Sequence, residues 1–445
     1  MKVCARMLCA ALMFSLCASG QTSSPPQSSA PASDAAKIKA LEDRVAALES
    51  QISALTAAVT AGQPAPAQSG AVPATSQAGT PPESAAQAAA ESQTGQVAPS
   101  IGGAAGMAKA LNPDISAIGD FIGDAGHNPF SAYRSMEMHE AEVALQAIVD
   151  PYSRADFFIS FGEEGVSLEE GYLTLTALPK NFVARIGKMR AAFGKVNTLH
   201  NHVLPWVDRP LVSYNLVGGE DGINDAGFSV NRILPAPRWL FLEGTGQVFR
   251  GDSADVFRTV NKNDVSVVGH LRGYHDINDN TNLDVGLSYA RGHNDADPLT
   301  SRFVSNLYGI DATLRWKPLE RAIYHSFQSR SEFIWNQRQQ LPATRKAFGW
   351  YSSAEYQLGR RWFVGGRYDW SDHQRNQYHD SGGSALLTYW PSEFAQIRGQ
   401  YRHMNYGPLA NAPLAPPASN LNSIQTNELL LQVQFAIGAH GAHPF

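Results

Sequence analysis

Cysteine is nearly absent from this chain. The only three in 445 residues are Cys4, Cys9 and Cys17, all within the first twenty positions. If that segment is removed, the remaining chain has no thiol for a disulfide, a zinc thiolate or a nucleophile. Beyond the first twenty residues there is also no apolar run of the roughly 18 residues that a membrane-spanning helix requires. Positive charge is in short supply as well. The formal charge is −5, and removing Lys2 and Arg6 takes it to −7, which argues against nucleic acid as a partner. Catalytic signatures are missing: there is no Gly-x-Ser-x-Gly, no His-Glu-x-x-His and no paired-carboxylate motif that stands above chance. Residues 102–109 hold three glycines ahead of Lys109 but lack the Gly-Lys-Ser/Thr that a phosphate loop needs. The sequence therefore predicts no enzyme, no cofactor and no resident metal.

What is present is strongly ordered along the chain. Met1, Lys2 and Arg6 form a basic start, Leu8 to Leu16 an apolar stretch and Ala18-Ser19-Gly20 a small-residue cleavage site, so residues 1–20 read as a secretory signal peptide. Leu16 ahead of Cys17 disfavours a lipoprotein. Residues 34–61 carry Ile38, Leu41, Val45, Leu48, Ile52, Leu55 and Val59 at alternating spacings of three and four, a heptad seam. Its a and d positions in isolation suit a parallel dimer. The segment Arg44-Val45-Ala46-Ala47-Leu48-Glu49, however, resembles a short trimerisation motif in which the arginine pairs with the glutamate of a neighbouring chain. The expected trimer contacts are Ile38, Leu41, Arg44, Val45, Leu48, Glu49, Ile52 and Leu55. A lone helix of this length is marginal in water, which favours partners. Residues 62–111 are rich in Ala, Pro, Gly, Ser, Gln and Thr and nearly uncharged, and they read as a disordered linker.

From 112 to 445 the pattern changes to a period of two. Val304, Asn306, Tyr308, Ile310, Ala312, Leu314 and Trp316 alternate with Ser305, Leu307, Gly309, Asp311, Thr313 and Arg315, one face mainly apolar and the other mostly polar or small. Leu429, Leu431, Val433, Phe435 and Ile437 repeat the design. Sixteen strands are predicted, near 114–124, 134–150, 152–163, 167–178, 181–195, 225–235, 238–251 and 264–277, then 281–293, 303–317, 323–338, 347–358, 361–372, 382–391, 393–406 and 425–440. Short turns alternate with longer connections, the exception being a short link at 164–166, and the longest loop is 196–224. Seven of the eight tryptophans fall near strand ends. Alternation alone would also fit a soluble sandwich. Alternating short and long connections with aromatic girdles predict instead an all-β fold, a 16-stranded antiparallel transmembrane β-barrel.

Residues 112–121 (Asn112-Pro113-Asp114-Ile115-Ser116-Ala117-Ile118-Gly119-Asp120-Phe121), residues 184–194 (from Ala184-Arg185-Ile186 to Ala192-Phe193-Gly194) and the final strand resemble the phosphate-selective porin O and P family. Terminal Phe445 resembles, in part, the signal by which outer-membrane barrels are recognised. The resemblance implies a trimer in the outer membrane, with a long loop folded into each barrel as a basic constriction. The corresponding loop here holds His200, His202, Asp208, Arg209, Glu220 and Asp221 but no lysine ladder, so phosphate selectivity does not carry over. A water-filled lumen needs inward charges. Strand phase assigns this role to Arg315, Arg367, Arg398 and Arg402 among bases and to Asp311, Glu355 and Asp369 among acids. Arg185, Lys188 and Arg190 fall on both phases of one strand, which calls for a bulge or slip. His200 and His202 with Asp208 have the donor types of a divalent-metal site, but such histidines are common in polar outer loops without metal. The same holds for His440 and His443. The sequence thus predicts a passive outer-membrane pore for small hydrophilic solutes, ions among them, with lipid around the barrel. Its N-terminal region would be periplasmic, with cell-wall contact through the coiled coil. The competing readings are an importer of the TonB-dependent receptor type and an envelope tether.

Overall fold

The computed structural model describes residues 113–407, apart from 132, 164, 254, 298, 300 and 301, together with 423–438. The signal, heptad and linker predictions lie outside the described residues, as do residues 408–422 and the tail from 439. Within them the chain forms β1 (Asp114–His127), β2 (Met136–Asp150), β3 (Ser153–Gly162), β4 (Gly165–Leu175), β5 (Phe182–Arg190) and β6 (Asn224–Ile233). There follow β7 (Phe241–Phe249), β8 (Ser266–Asn278), β9 (Thr281–His293), β10 (Val304–Trp316) and β11 (Phe327–Arg338). The last are β12 (Arg345–Gly359), β13 (Trp362–Asp372), β14 (His379–Ser392), β15 (Ala395–Tyr406) and β16 (Ile424–Gly438). Each strand pairs antiparallel with its sequence neighbours, and β1 closes on β16 in a register running from Ser116 opposite Gly438 to His127 opposite Asn427. Closure leaves no unpaired edge, the condition for a sheet to cross hydrocarbon.

The alternation sets the two faces. On β10, Tyr308 and Ile310 point outward at 41% and 40% exposure, while Leu307, Asp311 and Thr313 are buried on the lumen side. Outward residues elsewhere are of the same kind: Leu287, Val364, Leu387, Leu429 and Leu431 are all exposed. An apolar girdle of this extent is stable only against lipid, so the barrel is a transmembrane one. Aromatic side chains gather at its rims. Tyr152, Trp239, Tyr324 and Trp362 stand exposed beside the short turns, and Trp335, Phe348 and Trp370 form a contiguous set toward the other end, with successive ring centroids 5.1 and 5.9 Å apart.

Two strand boundaries differ from the sequence prediction by four residues or more. β5 stops at Arg190, because the chain turns off the wall through Gly194, whose φ of +62° suits glycine. A Cβ there would collide with the Glu332 carboxylate. β11 begins at Phe327 because Pro318 starts a hydrogen-bonded turn in which the Arg321 N–H donates to the Pro318 carbonyl and the Tyr324 N–H to that of Arg321. β5 also needs no slip: its register is continuous against both β4 and β6. Arg185 lies over the Tyr172 ring at 5.1 Å, while Lys188 donates to the Leu168 carbonyl at 2.6 Å.

Candidate functional site

The segment 191–223 between β5 and β6 does not extend outward. It packs inside the barrel through two 3-10 turns (Val196–Thr198 and Asn201–Val203), a helical turn Leu211–Ser213 and a wider turn Tyr214–Gly218. Its base is clasped by Asn197, whose amide donates to the Ala191 and Ile223 carbonyls at 2.8 and 3.0 Å and accepts from the Ile223 N–H at 2.8 Å. Arg209 knits the middle, donating to Asn201 Oδ1 and to the Val196 and Leu199 carbonyls at 2.9, 3.1 and 2.6 Å. Buried among these partners, Arg209 has its pKa lowered to about 9, by desolvation first and then by Arg190.

Apolar packing drives the inward fold. Phe193, Leu204, Trp206, Val212, Leu216 and Val217 are buried against inward residues of the wall, among them Leu307, Ile334 and Tyr351. The Trp206 ring meets Tyr351 edge-on at 5.1 Å, and the Arg367 guanidinium covers it at 5.0 Å.

Polar anchors then fix the loop to the wall formed by β11, β13, β15 and β16. Asp208 is the centre: its carboxylate accepts from Arg367 Nη2 and Arg402 Nη1, both at 2.9 Å, and from Gln400 Nε2 at 2.5 Å. Burial alone would raise its pKa, but the two arginines outweigh that and bring it down to about 2. Arg367 also bonds Asp369 at 2.6 Å, and Asp369 accepts the Leu211 N–H at 3.1 Å. Arg398 donates to the Leu204 carbonyl at 2.9 Å, Gln400 accepts the Val207 N–H at 2.9 Å, and Arg402 also donates to Glu428 at 2.8 Å. On the opposite flank His200 sits between Glu142 of β2 at 2.8 Å and Glu170 of β4 at 3.0 Å. Burial opposes charging of His200, yet these carboxylates hold its pKa well above the usual imidazole value.

Among the residues that strand phase points to the lumen, Arg367, Asp369, Arg398 and Arg402 face inward but are buried beneath the loop as its anchors. Arg315 and Glu355 share one cross-strand row through Gln328, Arg315 being buried and Glu355 partly exposed. Asp311 lines a cavity left on the other side of the loop. That cavity is bounded by β4 to β10 and by residues 190–198. Its bases are Arg185, Arg190, Lys195 and Arg272, and its acids are Glu170, Glu243, Asp284 and Asp311. Arg272 holds Asp284 through Nε at 3.0 Å and Nη2 at 2.7 Å, and Lys195 approaches the same carboxylate at 3.5 Å. Sequence reasoning missed this set, apart from Asp311 and the unassigned Arg185 and Arg190, because which wall the loop covers is a tertiary fact. Nor does Asp208 join the two histidines as a metal-type cluster: it serves the arginine wall, and the carboxylates near His200 and His202 come from β2 and β4.

The chain matches no protein-family model. It is 29% identical over 399 aligned residues to an uncharacterized protein of Aquifex aeolicus, covering 76% of this chain and 81% of that protein. Among solved structures it is similar in fold to the anion-selective porin from Comamonas acidovorans, with a TM-score of 0.51 and 10% identity over 73% of this chain and 99% of that one. The outer membrane channel DcaP of Acinetobacter baumannii aligns with a TM-score of 0.48 and 11% identity over 73% of this chain and 96% of that one.

Proposed function

We propose that the chain is an outer-membrane porin, a passive pore for small hydrophilic solutes and ions with no chemical step. One observation carries this reading: a closed barrel with an apolar exterior retains, beside its inward loop, a cavity lined by charged side chains of both signs, which would be the passage. Among the described residues it is the loop that fills the lumen beside this cavity, and residues 62–111 have the composition of a linker rather than of a globular plug, which favours a diffusion pore over an energised receptor. The bases and acids of the passage are equal in number, four of each, so the pore discriminates weakly by sign. The coarse resemblance to porins is thereby kept, and phosphate selectivity is not part of the proposal. Purified barrel, shown to be folded by heat-modifiable migration, should give discrete ohmic steps in planar bilayers. Folded protein that yields no steps ends the proposal.

Assembly as a homotrimer through Ile38, Leu41, Arg44, Val45, Leu48, Glu49, Ile52 and Leu55 belongs to the same reading, with that segment in the periplasm. The support is the heptad seam and its Arg-Glu motif. Cross-linking of the whole chain should give a trimer that weakens when residues 34–61 are deleted. A whole chain that cross-links only to dimers refutes it.

A further inference from the structure

The flank where the loop meets β1, β2 and β4 is over-supplied with carboxylates. Asp120, Glu140, Glu142, Glu169 and Glu170 are buried or nearly so and carry five negative charges when ionised. Among the described residues, positive groups within ion-pair distance of them include His200, His202 and Arg190. Even with both imidazoles protonated, these three groups supply two positive charges fewer than the five carboxylates carry when ionised. Glu140 concentrates the shortfall. It is 6% exposed, and among the described residues neither of its carboxylate oxygens has a hydrogen-bond partner. Its Cα partner across the β1–β2 ladder is Asp120, whose Oδ1 is likewise buried without a hydrogen bond while Oδ2 accepts from Gln432. Orphaned buried carboxylate oxygens are costly and call for a ligand.

The spacing indicates which ligand. His202 Nδ1 lies 3.8 Å from Glu140 Oε2 and 4.0 Å from Glu142 Oε2. These distances are too long for hydrogen bonds. They match two donors that each bind a shared cation at about 2.0–2.2 Å with a wide angle between them. One ligand atom from each of Glu140, Glu142 and His202 falls within 4.8 Å of the others. An imidazole with carboxylates is the donor set of a divalent transition ion of the zinc type rather than of calcium or magnesium.

We propose that Glu140, Glu142 and His202 bind one divalent transition-metal cation, which fastens the constriction loop to β2. Asp120, opposite Glu140 on the neighbouring strand, adds to the negative charge around the site. Binding displaces a proton from His202, so the divalent ion brings a net gain of one positive charge and halves the shortfall. The site is distinct from the passage and does not depend on the pore reading, because binding is measured without conductance. Folded barrel stripped with a chelator should take up one Co2+ per chain by titration calorimetry, with proton release and a visible absorption band. Glu140→Gln, which preserves shape, should weaken uptake at least about tenfold, and His202→Gln should do the same. If one variant does not fold, as judged by heat-modifiable migration, the other carries the comparison. Stripped wild-type barrel that binds no Co2+ at millimolar concentration overturns the proposal. So does undiminished binding in a folded variant.

Discussion

Asp208→Asn is the substitution that most directly tests whether the loop is a fixed part of the barrel interior. Every described neighbour of the Asp208 carboxylate oxygens is a donor: Arg367 Nη2, Arg402 Nη1 and Gln400 Nε2. An asparagine amide would therefore turn its NH2 toward other donors, with no acceptor to meet it. Removing one member of a buried ion pair costs about 3–5 kcal/mol. Here the lower end applies, because Arg367 keeps Asp369 and Arg402 keeps Glu428. A cost of about 3 kcal/mol raises the opening constant of the anchored segment by a factor on the order of 10². The amides of Val207 and Leu211 report on that opening, since they donate to Gln400 Oε1 and Asp369 Oδ1. In the variant their hydrogen exchange should accelerate on the order of 100-fold, while strand amides in β8 and β9 keep their protection. An acceleration below about threefold in a folded barrel would refute the argument that this carboxylate holds the loop.

The same group gives a pH dependence. Its folded pKa lies below the unperturbed value of about 3.9, so its contribution is complete above about pH 4 and is lost as pH falls through about 2. Protection of Val207 and Leu211 relative to intrinsic exchange should be flat from pH 7 to 4 and decline below it. A decline centred above pH 5 would contradict the assignment. Trp206→Ala removes the contact with Tyr351 and the ring beneath Arg367, at a cost of about 3–5 kcal/mol. Open-channel noise should rise while heat-modifiable migration persists, and a channel as quiet as the wild type would refute the anchoring role. In the passage, a unit charge about 6 Å from a permeating ion in water acts with roughly 0.7 kcal/mol, a factor of about three in permeability. Asp311→Asn should therefore shift the reversal potential in a salt gradient toward anions and Lys195→Gln toward cations. Shifts of the same sign in both would remove these residues from the lining.

The strands were legible because lipid and lumen impose a strict period of two, and β9 occupies the predicted range, Thr281–His293. Boundaries failed where a backbone feature overrode the pattern, at Gly194 and at Pro318. The loop's destination was harder to read. Its histidines and charges look like those of a solvated outer loop, and what sends it inward is the match of Leu204, Trp206, Val212 and Leu216 to a distant wall. A signal existed. Leu307, Ile334 and Tyr351 are large apolar residues on the inward phase of β10, β11 and β12, and a face meeting only water would not carry them. Arg367, Arg398 and Arg402 were placed on the correct face by phase, but phase cannot tell a side chain that meets water from one that meets a loop.

Charge along the loop explains why it settles where it does. The wall of β13, β15 and β16 beneath it carries Arg367, Arg398 and Arg402 against Asp369 and Glu428, one positive charge in excess. Asp208 arrives as the missing counter-ion. The opposite flank, on β2 and β4, is acidic, and there the loop presents His200 and His202. The sequence order, two histidines and then an aspartate six residues after the second, repeats the order of the walls the loop crosses. Burying uncompensated charge on either side would cost several kcal/mol. The loop is thereby held in one orientation by complementarity at both ends as well as by its apolar middle. It follows that the charges on the anchored side compensate one another and add little to the field felt by a solute. On the proposed pore reading, selectivity would then rest on the side chains of β4 to β10 and residues 190–198, although counting inward charges along the strands would assign it to the arginines of β13 and β15.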